Sequence, residues 1–170
     1  MKLIKLTKKY QTEYLEMLDG WGKLENYKEQ APFPLRFDTN DFDAFIQVIE
    51  DLELNPRFDF VPSSTYCLMN EEGKFVAISN LRHYLNDDLK IMGGHIGYGT
   101  RADMRQKGYA SKILELTLLE AKKIGILEVM ITYTSENIGS NKTILNNKGE
   151  LFEQNDVNGR LTNKYWIKNE

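Results

Sequence analysis

The stretch Arg105-Gln106-Lys107-Gly108-Tyr109-Ala110 decides how this chain is expected to fold. An apolar run with the character of a β-strand, residues 95–100, comes directly before it. After it, apolar residues recur at the spacing of an α-helix, at Ala110, Ile113, Leu114, Leu118 and Ala121. The stretch is therefore predicted to be the turn from a strand into a helix, with Gly108 in or next to the first helical turn.

The position and composition of this turn favour the binding of an anion. The first N–H groups of a helix have no partner within it, and that end of the helix dipole is positive, so phosphate groups bind there readily. Gly108 removes a Cβ that would obstruct a ligand, and Ala110 keeps the next approach close. Arg105 and Lys107 add positive charge. We therefore expect a phosphate or pyrophosphate site here.

The motif Arg-x-x-Gly-x-Ala, formed by Arg105, Gly108 and Ala110, resembles the pyrophosphate-binding signature of the GNAT superfamily of acyl-CoA N-acyltransferases. That signature is Gln/Arg-x-x-Gly-x-Gly/Ala. A second stretch, Asn137-Ile138-Gly139-Ser140, resembles the Asn-x-x-Ala/Ser of the same superfamily. The resemblance implies that the six residues 105–110 bind the pyrophosphate of acetyl-CoA, and that Asn137 and Ser140 border its arm. An ordinary helix N-cap is the alternative for Asn137. The motifs begin 32 residues apart, separated by one helix and one strand, as the superfamily requires.

The predicted elements follow the order of the GNAT fold. The pattern predicts strands at 1–6, 66–69, 75–81, 95–100, 127–133, 151–157 and 161–167. It predicts a helix after residue 7, and further helices capped by Asn40 or Asp41, over 109–124 ending at Gly125, and over 138–147. Residues 23–40 are predicted to be a loop, and Asn158-Gly159 a type I′ turn. The expected fold class is α/β of the α+β type: a mixed, mostly antiparallel sheet of about seven strands flanked by helices.

In the fold that this chain resembles, strands 95–100 and 127–133 run parallel and splay apart to hold the acyl-CoA arm. The arm pairs with the backbone of the earlier strand, here at Tyr98, Gly99 and Thr100. A packed strand with glycines at a bulge is the alternative. Residues 81–86 with 93–98 also resemble one predicted-acetyltransferase branch of the superfamily.

One position departs from the superfamily. Many members carry a Tyr seven residues after the Asn, as the acid that protonates the departing thiolate, whereas this chain has Ile144. Either another donor serves, with Tyr133 at the end of its strand or a water as the candidates, or the thiolate leaves without one. His95 is the candidate base, with a histidine held by backbone hydrogen bonds as the alternative. A regular strand points His95 and Tyr98 to opposite sides, so at most one is expected near the thioester unless the strand is bulged.

Length and composition restrict the class of protein. We expect residues 1–170 to form a single domain with its own core. No apolar run approaches the roughly 20 residues of a membrane span, and a signal peptide is not recognisable, so a cytoplasmic protein without a membrane partner is expected. The net charge of −3 argues against a nucleic-acid partner. A single cysteine, Cys67, excludes an intrachain disulfide, and no cluster has metal-ligand spacing, so no metal is expected.

The sequence therefore predicts an acyl-CoA N-acyltransferase that passes an acetyl group from acetyl-CoA to a primary amine of a small molecule or peptide, in a ternary complex. A non-catalytic acyl-CoA-binding module on the same fold is the alternative. Residues 1–60 carry 8 Lys and Arg against 12 Asp and Glu, a net charge of −4. This is either an ordinary solvated surface or an acidic site for a cationic acceptor. A homodimer is also left open.

Overall fold

The computed structural model of the chain describes residues 1–21, 32–57 and 59–169. These described residues form seven strands, β1 (Lys2–Lys5), β2 (Ser63–Met69), β3 (Phe75–Arg82), β4 (Ile96–Thr100), β5 (Glu128–Thr134), β6 (Glu150–Val157) and β7 (Arg160–Lys168). The described helices are α1 (Gln11–Trp21), α2 (Phe42–Leu54), α3 (Asp87–Ile91), α4 (Tyr109–Lys123) and α5 (Ile138–Asn146). Short 3₁₀ turns occupy Lys8–Tyr10, Phe33–Arg36 and Ala102–Met104.

The strands form two antiparallel sheets, one in the order β1-β2-β3-β4 and the other in the order β5-β7-β6. The predicted fold class is confirmed, with the seven strands divided between two sheets. β4 and β5 are both edge strands and face each other across the division. Helix α4 connects β4 to β5. A helical crossover of this kind is the connection that two parallel strands need, whereas antiparallel neighbours can be joined by a short turn.

Helices cover both faces of the larger sheet. One core cluster joins α1 and α2 to the sheet through residues such as Tyr14, Phe45 and Ile78, which are fully or almost fully buried. The second joins α4 and α5 to both sheets through residues such as Leu114, Ile131 and Ile144. β3 is buried on both faces because helices pack on each side of it, which explains its continuous apolar sequence.

Several local predictions are confirmed. The side chain of Asp41 accepts a hydrogen bond from the backbone N–H of Ala44 and caps α2. Asn158 and Gly159 have φ angles of 54° and 78°, as a type I′ turn requires. The short helix α3 was not predicted, because five residues show no period. Part of the predicted loop, residues 23–31, lies outside the described residues. No helix in the described part is both long and apolar enough to cross a membrane.

Candidate active site

The two facing edge strands meet at one point. The backbone N–H of His95, just before β4, donates to the carbonyl of Met130 in β5 at 2.7 Å. Gly94 makes this approach possible, since its φ is +63° and an added Cβ would lie 2.4 Å from the Met130 carbonyl oxygen. Beyond this contact, the described strands share no ladder. Each strand therefore has an unpaired edge towards the other, and the space between these two edges is named the cleft.

The register of β3 and β4 shows which backbone groups face the cleft. The N–H of Arg82 donates to the carbonyl of His95 at 2.7 Å, and that of Arg101 to Val76 at 3.1 Å. Bonded and non-bonded pairs alternate in an antiparallel ladder, so Gly97 and Gly99 direct their backbone groups to β3. Tyr98 and Thr100 therefore direct theirs towards β5. Three residues were expected to contact the cofactor arm. Tyr98 and Thr100 have backbone groups that point towards β5, whereas the backbone groups of Gly99 point to β3.

The turn at residues 105–110 begins α4, as predicted. Gly108 is the N-cap residue, with φ +80° and open space around the position of a Cβ. It has no side chain to accept from the first N–H groups of the helix, and the first turn contains no acidic residue. Arg105, Gln106 and Lys107 are exposed, and Tyr109 and Ala110 are half-buried. The N-terminus of α4 is thus uncapped, positively charged and accessible, as an anion site requires.

Asn137 and Ser140 lie at the start of α5. The Oδ1 atom of Asn137 accepts from the N–H of Ser140 at 3.1 Å, so the N-cap alternative is present in the structure. This bond uses the oxygen of the amide and not its nitrogen, so contact with a ligand is compatible with it. The hydroxyl of Tyr98 donates to the carbonyl of Ser140 at 3.4 Å. The side chain of Tyr98 thereby bridges β4 and α5 at the cleft.

Tyrosines collect on the α5 side of the cleft. The rings of Tyr133 and Tyr165 lie 5.8 Å apart, and the Tyr165 hydroxyl donates to Oδ1 of Asn141 at 3.1 Å. Burial, and secondly the hydrogen bond to Tyr133, raise the pKa of Tyr165 to about 12. Sequence reasoning missed Tyr165, because only the ladder between β5 and β7 brings it beside Tyr133. Ile144 is fully buried in the core and has no proton to offer.

His95 is held by the backbone of β5. Its Nδ1 atom accepts from the N–H of Met130 at 2.9 Å, and the side chain is buried. Burial, and secondly the positive charge of Arg82, lower the pKa of His95 to about 4. A neutral imidazole has one acceptor nitrogen, which is occupied here, so Nε2 carries the hydrogen. The geometry fits the alternative of a histidine held by backbone bonds and does not support the role of base.

The face of β4 away from α4 has features that sequence reasoning missed. A Cβ on Gly97 would lie 3.6 Å from Nη2 of Arg82, and one on Gly99 would lie 2.9 Å from the ring of Trp21. The two glycines therefore form a surface without side chains, between a guanidinium and an indole. The alternating orientation of a strand puts this surface opposite Tyr98. Sequence reasoning included Arg82 in a stretch that resembles the superfamily but assigned it no role, because the pairing of β3 with β4 is what places it beside Gly97.

No protein-family model matches the sequence, and no curated protein matches it either. Solved structures do match. The ribosomal-protein α-N-acetyltransferase RimL in complex with coenzyme A has a TM-score of 0.69 at 14% identity, covering 98% of this chain and 92% of that one. A SpeG spermidine N-acetyltransferase chimera, from Vibrio cholerae and hSSAT, has a TM-score of 0.66 at 12% identity, covering 99% and 95%. The Salmonella typhimurium protein yncA, with its cofactor acetyl-CoA, has a TM-score of 0.63 at 12% identity, covering 99% and 94%.

These likenesses establish the class to which the architecture belongs: a mixed α+β fold in which two edge strands face each other beside the start of a long helix. It is the fold of the GNAT acetyltransferases, so the resemblance found in the sequence is confirmed at the level of the fold.

Proposed function

We propose that this protein is an acetyl-CoA-dependent N-acetyltransferase. The observation that carries the proposal is the cleft between the free edges of β4 and β5, with the uncapped N-terminus of α4 nearby. An amide-bearing chain can pair with a free strand edge, and a pyrophosphate can bind a helix N-terminus. The arm and the pyrophosphate of acetyl-CoA have these two chemistries. The similar structures that hold coenzyme A or acetyl-CoA support the same ligand.

Each part of the cofactor has residues that suit it. Arg105, Lys107 and the first N–H groups of α4 would bind the pyrophosphate. Tyr98 and Thr100 would offer backbone groups to the amides of the arm, and the amide nitrogen of Asn137 would meet it from α5. Acetyl-CoA supplies an activated thioester. The protein's residues supply orientation, which by itself can account for a large part of the rate.

We propose direct attack of the acceptor amine on the thioester in a ternary complex. Cys67 is unsuited to carry the acetyl group, because it is fully buried on β2, and burial raises the pKa of its thiol. Tyr133 is half-buried at the end of β5 and is the candidate to protonate the leaving thiolate. Its ring lies 5.8 Å from that of Tyr165, and this packing would hold it in position. We place the reaction in the cytoplasm.

The second candidate function is a non-catalytic acyl-CoA-binding module on the same fold. Two observations favour it: Ile144 stands buried where a proton donor is usual, and the acceptor nitrogen of His95 is occupied. Turnover with acetyl-CoA and a panel of amines separates the two functions, since a binding module would release no coenzyme A.

Binding of the cofactor is tested by a thermal shift with acetyl-CoA. At 100 times its dissociation constant, the ligand should stabilise the parent by about 2.7 kcal/mol. In Gly108→Asp this stabilisation should disappear, because a carboxylate would stand where the pyrophosphate binds. Gly125→Asp is the matched control, since Gly125 lies at the other end of α4 with φ +84° and equally open space. An equal shift in the two variants would remove the proposed cofactor site.

A further inference from the structure

Arg82 lies at the mouth of the cleft, on the face of β4 away from α4. Its Nη1 atom donates to the carbonyls of Gly93 and Gly94, at 2.9 Å each. These two bonds turn the guanidinium so that Nη2 comes over Gly97, one residue before Tyr98. The cleft opens next to this point, because His95 is the last residue that bonds to β5. Arg82 is therefore anchored through Nη1, whereas its Nη2 atom has no hydrogen bond among the described residues.

The charge of Arg82 has no carboxylate partner among the residues that the structure describes. Its described hydrogen bonds go to carbonyl groups, and none of the described salt bridges includes it. Burial and the neighbouring charge of Arg36 lower its pKa to about 10. Desolvating a cation without a counter-charge is unfavourable, and a planar guanidinium fork matches the geometry of a carboxylate. The site thus has an excess of positive charge that an anionic ligand would neutralise.

Asn80 provides a second, independent donor. It is 1% exposed, and its Nδ2 atom has no hydrogen-bond partner in the described part of the chain. It lies two residues before Arg82 on β3, so both side chains project from the same face, and it pairs in register with Gly97. A buried amide N–H₂ group without a partner is costly, and it indicates a missing acceptor atom.

Building on the proposed acetyl transfer, we propose that Arg82 and Asn80 bind a carboxylate of the acceptor. The acceptor would then be an amine that carries a carboxylate close to it, as in an amino acid or a short peptide. Within 4 Å, a Cβ on Gly97 would contact only the guanidinium of Arg82, so the carboxylate would lie above Gly97 and the amine would point towards β5. Trp21, over Gly99, forms the apolar wall on the other side. The acceptor side chain would contact that wall.

This differs from the cationic acceptor that the acidic N-terminal region left open. That expectation came from the summed charge of residues 1–60, whereas the charge beside β4 comes from the guanidinium of Arg82. Local charge within a few ångströms outweighs net charge spread over a solvated surface, because salt and water screen the latter.

The test is calorimetric binding to the protein loaded with coenzyme A, which cannot react. The probes are L-amino acids, each paired with the amine that lacks its carboxylate, such as lysine and 1,5-diaminopentane. The parent should bind at least one amino acid about 10- to 100-fold more tightly than its paired amine, the range for hydrogen bonds to a charged group. In Arg82→Gln the two members of that pair should bind equally. Asn80→Asp, of the same shape, should lose the preference as well, because it places a carboxylate beside the guanidinium.

Equal binding of every pair by the parent would overturn the carboxylate site, and so would a preference that Arg82→Gln retains. The thermal shift with acetyl-CoA should be unchanged in both variants and serves as the check that they fold. Turnover is measured separately. If amino acids bind selectively but no acetyl group is transferred, the proposed acetyl transfer fails and the carboxylate site stands.

Discussion

Replacing Gly94 by alanine should damage the backbone hydrogen bond from His95 to Met130, which joins the two sheets in the described part of the chain. The φ angle of Gly94 is +63°, a region that L-residues avoid, and the new Cβ would lie 2.4 Å from the carbonyl oxygen of Met130. That oxygen belongs to the β5 backbone and accepts from the N–H of His95. Since it cannot turn aside as a flexible side chain would, β4 and β5 would have to move apart.

Two terms set the expected size of the effect. A non-glycine residue held in this region of φ costs about 1–3 kcal/mol. Forcing a methyl group into a packed contact typically costs a further 1–3 kcal/mol. The sum predicts that Gly94→Ala lowers the free energy of unfolding by about 2–6 kcal/mol.

Gly73→Ala isolates the first of these terms. Gly73 lies in the turn between β2 and β3 with φ +78°, and a Cβ there meets nothing within 4 Å. Urea denaturation of both variants, with an unchanged m value, should show Gly94→Ala to be the less stable by about 1–3 kcal/mol. Acetyl-CoA binding should weaken in Gly94→Ala alone, because the cleft widens. If the two variants are equally stable, the close approach of β4 and β5 is not what requires glycine at position 94.

Three further predictions concern single side chains. His95→Asn keeps an acceptor for the N–H of Met130 but does not titrate. The folded pKa of His95, about 4, lies below the ordinary 6.5, so its contribution to stability is complete above pH 6.5 and is lost as pH falls towards 4. The variant should therefore lose less stability than the parent over that window, and equal pH profiles would contradict the assignment. Tyr133→Phe should lower kcat by about 10²- to 10⁴-fold with unchanged acetyl-CoA affinity. An unchanged kcat would show that Tyr133 does not protonate the departing thiolate. Cys67→Ala should retain its activity, and mass spectrometry should find no acetylated Cys67 during turnover of the parent; finding one would overturn direct transfer.

The sequence was sufficient where the cause of a structure is local. Helical spacing after Gly108, the cap at Asp41 and the turn at Asn158-Gly159 each depend on a few neighbouring residues, and all three are present in the structure. The order of elements then indicated the fold class, because a strand–helix–strand crossover within an otherwise antiparallel chain leaves few arrangements.

The sequence was insufficient where the environment of a side chain comes from distant residues. His95 could have been a base or a structural histidine, and Met130, 35 residues later, occupies its acceptor nitrogen. Tyr165 carries no local signal, yet the pairing of β7 with β5 brings it beside Tyr133.

The chain's own residues thus determined the strand, the turn and the helix start that favour an anion, because dihedral preference and periodicity are properties of short segments. Only the tertiary structure decided which groups surround the cleft. Arg82 lies over Gly97, and Trp21 over Gly99, because sheet pairing and helix packing bring them there. Burial, hydrogen-bond partners and local charge all depend on such contacts, and together they set the chemistry of the site.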